Sequence, residues 1–187
     1  MSQFEYLSVL VSIIVGLAIT QLLSGAARLI QLRRRVAAHA TTLCWMGLMF
    51  LINTQMWWAA FERRWTSDWN FFSFLLYLLM PIIGFLLSYL LVPQAEDLDD
   101  WDLSTNFADN RPWFFGLLAL LPCVSMAEQA LRMGSLDLDG DTAFRIAFAL
   151  MALVASQVRS ARFQFWNALL ATAVVCAYVA MLFLRLR

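Results

Sequence analysis

The sequence contains no lysine, and all thirteen of its basic residues are arginine. Without lysine the chain cannot form the Schiff base that retinal or pyridoxal phosphate requires, and it cannot supply the lysine of a phosphate-binding loop. Histidine occurs once, at His39, and the three cysteines form no Cys-x-x-Cys pair. These absences argue against a bis-histidine haem, a zinc site and a dithiol centre, so we expect no cofactor and no metal.

Charged residues are also scarce. They make up 14% of the chain, whereas 62% of its residues are hydrophobic, and soluble proteins carry about 25% charged residues. We therefore predict an integral membrane protein of one domain, with the lipid bilayer as its surroundings. Thirteen acids balance the thirteen arginines, so nothing favours nucleic acid as a partner. The sequence pairs no nucleophile with a base, and we expect that the protein is not an enzyme.

Long apolar runs predict an all-α bundle of about six transmembrane helices. Leu7 to Ala27 is free of charge and would span roughly 30 Å as a helix, the thickness of a bilayer core. The fifth helix is the weakest, so a re-entrant hairpin of the fourth and fifth helices is an alternative. The predicted helices cover residues of about 6–32, 40–61, 70–93, 112–133, 142–158 and 163–184.

Three weaker patterns concern symmetry and placement. Arginine and aromatic residues precede both the third and the sixth predicted helix, which raises a three-plus-three repeat as a hypothesis, with chance similarity as the alternative. The arginines at 33–35 favour a cytoplasmic location for the first connection. The run ITQLLSGAARL resembles small bacterial membrane proteins, which implies no function. We expect a multi-pass protein of the bacterial inner membrane.

Small residues recur at four-residue intervals in the first predicted helix, at Ser12, Gly16, Thr20 and Ser24. Small residues at such spacing let another helix approach closely. Each four-residue step turns about 40° past a full circle, so the stripe winds around the helix and suits a crossing neighbour. We predict that this stripe makes the closest helix contact in the protein.

Polar residues inside the predicted spans form two belts, one toward each side of the membrane. Such groups are costly in hydrocarbon unless they pair or face water, so both belts should point inward as a ligand or ion pathway. On the side of the N-terminus the belt contains Asn53, Gln55, Glu128, Gln129 and Arg145, and on the other side it contains Gln21 and Gln157.

Glu128 is the only acid well inside a predicted span. It is either an ion, proton or counter-ion site or a carboxylate that pairs with arginine to hold the helices together. We predict that it pairs with Arg145 across the hairpin of the fourth and fifth helices, because the two positions are equidistant from the middle of the connection. Arg132, one turn along the same helix, is the competing partner.

Two acidic segments lie outside these belts. The connection from Glu96 to Arg111 is polar, and Leu98 and Trp101 within it suggest a short interfacial helix. The DLDGD segment has the ligand spacing of an EF-hand loop but misplaces the glycine and lacks the final glutamate, so a solvated turn is favoured. Tryptophans at or near the predicted helix ends, Trp45 among them, favour interfacial positions.

The function predicted from these features is a homo-oligomeric channel or a small-solute or ion transporter. Six short helices enclose little volume alone, and the small-residue stripe invites association. The alternative is a structural or sensory subunit that packs against a partner membrane protein or binds lipid, with the polar belts acting as packing contacts.

Overall fold

The computed structural model describes residues 3–62, 71–94, 101–133 and 139–185, and these residues form six helices without any strand. Their positions agree closely with the predicted ones. The helices are α1 (Gln3–Leu32), α2 (Ala40–Glu62), α3 (Phe71–Leu91), α4 (Leu103–Met133), α5 (Gly140–Gln157) and α6 (Ala161–Arg185).

Four of these helices, namely α1, α3, α4 and α6, are long and apolar enough to cross a membrane within the described parts of the chain. Two helices fall outside that set. Helix α2 contains three successive polar residues, Asn53, Thr54 and Gln55. Helix α5 is short, with 18 residues, and includes the charged residues Asp141 and Arg145. The chain is therefore a helical protein suited to a membrane, while the number of its helices that cross the membrane stays a prediction.

The start of α4 differs most from the predicted boundaries. The helix begins at Leu103 and continues through Pro112, so much of the predicted polar connection is helical. Asp102 caps it, because its carboxylate accepts hydrogen bonds from the backbone N–H of Ser104 (3.0 Å) and the hydroxyl of Thr105 (2.7 Å). These bonds lower the pKa of Asp102 to about 2. Leu103 and Phe107, one turn apart, are buried and anchor this extension.

The helices pack mainly in the pairs α1–α3, α3–α4 and α4–α5, and α2 lies against α1, α3 and α6. We name the end where α1 begins the first end, and the end where α1 finishes the second end. The half toward the second end has a dense core, in which Trp45 makes edge-to-face contacts with Phe114 and Phe115. Among the described residues of the first end, Val11, Val15, Ala60 and Tyr77 form a small buried cluster.

Helix α1 packs through a face other than the small-residue stripe. Val11, Val15, Ala18, Leu22 and Gly25 are buried, at alternating steps of four and three residues. That spacing averages 3.5 residues and keeps one side of a helix turned toward its neighbours, whereas a strict four-residue stripe winds away.

The stripe is exposed at all four of its positions, Ser12, Gly16, Thr20 and Ser24. A Cβ atom added to Gly16 would meet no described atom within 4 Å. The predicted contact between this stripe and another helix of the same chain is therefore wrong. Its contact with a second copy stays a prediction.

Tryptophan exposure agrees only partly with the interfacial interpretation. Trp57, Trp58, Trp113 and Trp166 are exposed, as residues at a membrane interface would be. Trp45 belongs to the core, and Trp101 is 2% exposed in the non-helical segment just before α4. The predicted interfacial helix is thus wrong at Trp101, and Leu98 lies outside the described residues.

Candidate functional site

A cavity of about 290 Å³ lies between the helices toward the first end. All six helices contribute to its wall, and most of the wall is apolar. Its volume is close to the lower limit of about 300 Å³ for small-molecule sites. The lining residues are Val11, Ile52, Gln55, Met56, Ala59, Tyr77, Met80, Pro81, Leu121, Pro122, Ser125, Asp141, Phe144, Arg145, Phe148, Val175 and Tyr178.

One side of the cavity carries a connected polar group that we call the α5 cluster, formed by Gln129, Asp141, Arg145 and Tyr178. The guanidinium of Arg145 donates to the side-chain oxygen of Gln129 (2.6 Å) and forms a salt bridge with Asp141. The Tyr178 hydroxyl donates to the other oxygen of Asp141 (3.1 Å). The cluster therefore connects α4, α5 and α6 through side-chain hydrogen bonds.

Local sequence explains why the acid and the base of this cluster meet. Asp141 and Arg145 are four residues apart on α5, and side chains at that spacing are neighbours on one helix face. The helix starts just before them because Asp139 caps it by accepting from the backbone N–H of Thr142 (2.9 Å). The hydrogen bonds from Thr142 also lower the pKa of Asp139. The cap thus sets the position of the ion pair beside the cavity.

Arg145 lies at the predicted depth but has a different partner. Its hydrogen bond across the hairpin goes to Gln129, the residue after Glu128. Successive helix residues point about 100° apart. The hairpin of α4 and α5 therefore brings Arg145 to nearly the predicted level, but the face of α4 that Arg145 contacts differs from the predicted one. The described contacts of Arg145 are with Asp141 and Gln129, and the predicted pair with Glu128 is not among them. Glu128 itself is buried, at 5% exposure, and does not line the cavity.

The other predicted pathway residues divide between the cavity and the helix interfaces. Gln55 lines the cavity. Asn53 is fully buried between α2 and α3, where its amide donates to the carbonyl of Met49 (2.8 Å) and to the hydroxyl of Ser88 (3.2 Å). Asn53 is thus a packing contact. Gln21 is half-buried, Gln157 is exposed, and neither lines the cavity.

Several cavity residues were not identified from the sequence, namely Asp141, Tyr178, Phe144 and Ser125. The Phe144 and Tyr178 rings stack at 5.1 Å with an interplanar angle of 3°, which joins α5 to α6 at the cavity wall. The four-residue spacing of Asp141 and Arg145 could have predicted their ion pair from the sequence, because side chains at that spacing are neighbours on a helix. The contacts with Tyr178 depend on helix packing and leave no comparable pattern in the sequence.

Two prolines inside helices also line the cavity, Pro81 in α3 and Pro122 in α4. A proline has no N–H to donate, so the carbonyls of Tyr77 and Leu118, four residues earlier, lose their helical donors. The two helices that contain them pack directly against each other. The cavity wall therefore includes the parts of α3 and α4 where helical hydrogen bonding is interrupted.

Side-chain contacts link several helices at the second end. The Arg28 guanidinium lies 5.7 Å from the centre of the Trp101 ring, whose N–H donates to the carbonyl of Pro93 (3.2 Å). His39 is hydrogen-bonded through Nδ1 to the hydroxyl of Thr42 (2.8 Å), which in turn donates to the carbonyl of Leu103 (3.3 Å). These contacts connect α1, α2 and the start of α4.

The stability of this end should depend on pH through His39. Burial lowers the pKa of His39 below 6.5, although the nearby charge of Asp102 acts in the opposite direction. The folded state therefore disfavours the protonated ring. We expect full stability above about pH 6.5, the pKa of an unperturbed histidine, and a progressive loss as the pH falls toward the folded pKa.

Thermal unfolding between neutral and mildly acidic pH would test this expectation, with His39→Gln as the matched variant. The substitution should flatten the pH dependence in this range because His39 is the only histidine. An unchanged slope in the variant would contradict it.

No group of three or more histidine, cysteine, aspartate or glutamate side chains that could hold a metal occurs among the described residues. Asp139 and Asp141 of the DLDGD segment act in the helix cap and the ion pair. Asp137 lies outside the described residues.

No family model, no curated protein and no solved structure matches this chain. The geometry of the cavity therefore carries the functional argument.

Proposed function

We propose that this protein is a small-solute transporter of the bacterial inner membrane, which it crosses several times, and that the solute occupies the cavity at the first end. The observation that carries this proposal is a cavity of about 290 Å³ whose wall includes residues of every helix and one ion pair. An apolar cavity with a few convergent polar groups is the usual form of a small-molecule site.

A transporter fits the packing better than a channel does. Trp45, Phe115 and Leu118 are fully buried in the half toward the second end, so tightly packed side chains lie beyond the cavity. A transporter works with one side closed while the other is open, whereas a channel needs a continuous pathway.

The helix prolines support the same proposal. Transporter sites often form where membrane helices are interrupted, because unpaired backbone groups are tolerated only beside protein or water. Pro81 and Pro122 each remove one backbone hydrogen-bond donor from one of two adjacent helices at the cavity. A rearrangement of α3 against α4 would change the access to the cavity without breaking regular helical hydrogen bonds elsewhere.

Blocking the cavity should abolish transport. Ala59 lines the cavity, whereas Ala143 is an exposed residue of α5 outside it. In proteoliposomes we expect Ala59→Phe to lower solute uptake at least about tenfold, because the larger ring overfills the space. Ala143→Phe should leave uptake unchanged.

The solutes for this assay are radiolabelled leucine, nicotinate and agmatine, which are similar in size and differ in charge. Uptake of any one of them that depends on Ala59 supports the proposal. Equal uptake by both variants, or no uptake by the unmodified protein, would contradict it. Thermal unfolding of both variants verifies that they fold.

The exposed stripe of α1 favours a second candidate function, that of a subunit that associates with further copies or with a partner membrane protein. Gly16 has open space at its Cβ position, and Ser12, Thr20 and Ser24 are exposed beside it. A helix could approach closely here. A stoichiometric partner on extraction, together with no cavity-dependent uptake, would favour this candidate over transport.

A further inference from the structure

We infer that the cavity selects a solute without net charge, with a compact apolar body and one hydrogen-bond acceptor that contacts Arg145. The inference rests on the proposed function, because it names the class of solute that the cavity would take. Three features carry it: the charge balance of the lining residues, the unused donors of Arg145 and the apolar character of the remaining wall.

The charge balance of the described lining residues disfavours ions of either sign. Among the described lining residues, Asp141 and Arg145 are the charged ones, and they neutralise each other in a salt bridge. Their side chains are only 31% and 21% exposed. A bound anion or cation would therefore add an uncompensated charge to a partly buried site, which is unfavourable. A neutral or zwitterionic solute avoids this cost.

The hydrogen bonds of the α5 cluster favour an acceptor on the solute. Each carboxylate oxygen of Asp141 already accepts one hydrogen bond, from Tyr178 or from Arg145. A guanidinium has five N–H donors; Arg145 donates one to Gln129 and one to Asp141, and it also interacts with the Tyr178 hydroxyl. A carbonyl, carboxamide or zwitterion carboxylate could take the remaining donors without displacing Asp141.

The rest of the wall and the volume limit the body of the solute. Met56, Phe148, Val175 and the stacked Phe144–Tyr178 pair are among the lining residues. The cavity volume of about 290 Å³ lies at the lower end of the range for small-molecule sites. A single small ring or a short branched chain fits this space.

Benzamide, benzoate and benzylamine test the inference, because they share one ring and differ in charge. Their binding to the full-length protein in nanodiscs would be measured by equilibrium dialysis at neutral pH, with empty nanodiscs as the blank. We expect benzamide to bind at least about tenfold more tightly than either ion. Ala59→Phe should weaken the binding of benzamide, and Ala143→Phe should not.

Variants of the ion pair test the charge preference most directly, since each single variant leaves one charge of known sign in the cavity. Arg145→Gln leaves Asp141, so benzylamine should become the preferred probe. Asp141→Asn leaves Arg145, so benzoate should become the preferred one. The double variant should again prefer benzamide, and thermal unfolding identifies any variant that fails to fold. If a single variant does not fold, the double variant and the unmodified protein still provide the comparison.

Equal or tighter binding of an ion by the unmodified protein, no binding of any probe, or an order unaffected by the variants would overturn the inference. The proposed function has a separate outcome. Uptake of nicotinate or agmatine that is lost in Ala59→Phe would support transport while contradicting the selection of uncharged solutes.

Discussion

Gly25→Leu should lower the free energy of unfolding by about 3 kcal/mol or more, because Val92, the residue after α3, packs directly against this glycine of α1. A Cβ atom at position 25 would lie 2.5 and 2.9 Å from the two methyl carbons of Val92 and 3.3 Å from the terminal methyl of Met46. The short branched side chain of Val92 has little freedom to move aside. Overpacking a tight site costs about 1 to 3 kcal/mol and occasionally more, and leucine adds three further carbons.

Gly16→Leu, on the same helix, is the matched control. Both substitutions gain the same helix propensity, at most about 1 kcal/mol, but the Cβ at position 16 meets no described atom within 4 Å. Thermal or denaturant unfolding in detergent should show a large loss at 25 and little change or a small gain at 16. Equal losses would show that the exposed stripe is a packing face after all. A change in the mass of the Gly16→Leu particle without a change in unfolding would indicate contact with another subunit.

In the half toward the second end, Trp45→Ala should be the most destabilising single substitution. We expect it to lower the free energy of unfolding by about 3 to 5 kcal/mol. The indole is fully buried and packs edge-to-face against Phe114 (5.1 Å between ring centres, 71°) and Phe115 (5.3 Å, 81°). Its removal leaves a cavity between α2 and α4 and takes away aromatic contacts that contribute about 0.5 to 1.5 kcal/mol each.

Trp113→Ala is the control for Trp45→Ala, since Trp113 is 73% exposed on α4. Its loss of stability should stay within about 0.5 kcal/mol, as for most surface substitutions. Trp45→Phe should cost less than Trp45→Ala, because it keeps a ring in the core and removes an indole N–H that has no hydrogen-bond partner among the described residues. Unfolding measured for the three variants checks the order. If Trp113→Ala were the most harmful, the assignment of the core would be wrong.

The positions of the helices followed from the sequence, because a long apolar run has few alternatives to a helix when backbone polar groups must be paired. Five of the six helices begin within three residues of their predicted starts, and α4 begins earlier, at Leu103. The missed part of α4 is polar in composition, and its helical state depends on the Asp102 cap and on the burial of Leu103 and Phe107. Average hydrophobicity contains no information on either.

The depth of polar groups along the helices was also predictable. Counting from the middle of the connection placed Arg145 level with Glu128, and Arg145 contacts the adjacent Gln129. Asn53, predicted to face inward, is fully buried. Distance along a helix follows from a constant rise per residue, so an error of one residue changes the depth by only about 1.5 Å.

The sequence by itself thus determined the helical class, the approximate helix positions and the level of Arg145 along its helix. Only the tertiary structure decided which helix faces meet: α1 uses Val15 and Gly25 in place of Gly16, and the described contacts of Arg145 are with Asp141 and Gln129. The physical reason is that one residue turns a helix by about 100°, while apolar residues lie on every side of these helices. The facing surfaces, and with them the cavity and its ion pair, are therefore set by how the side chains of all six helices fit together.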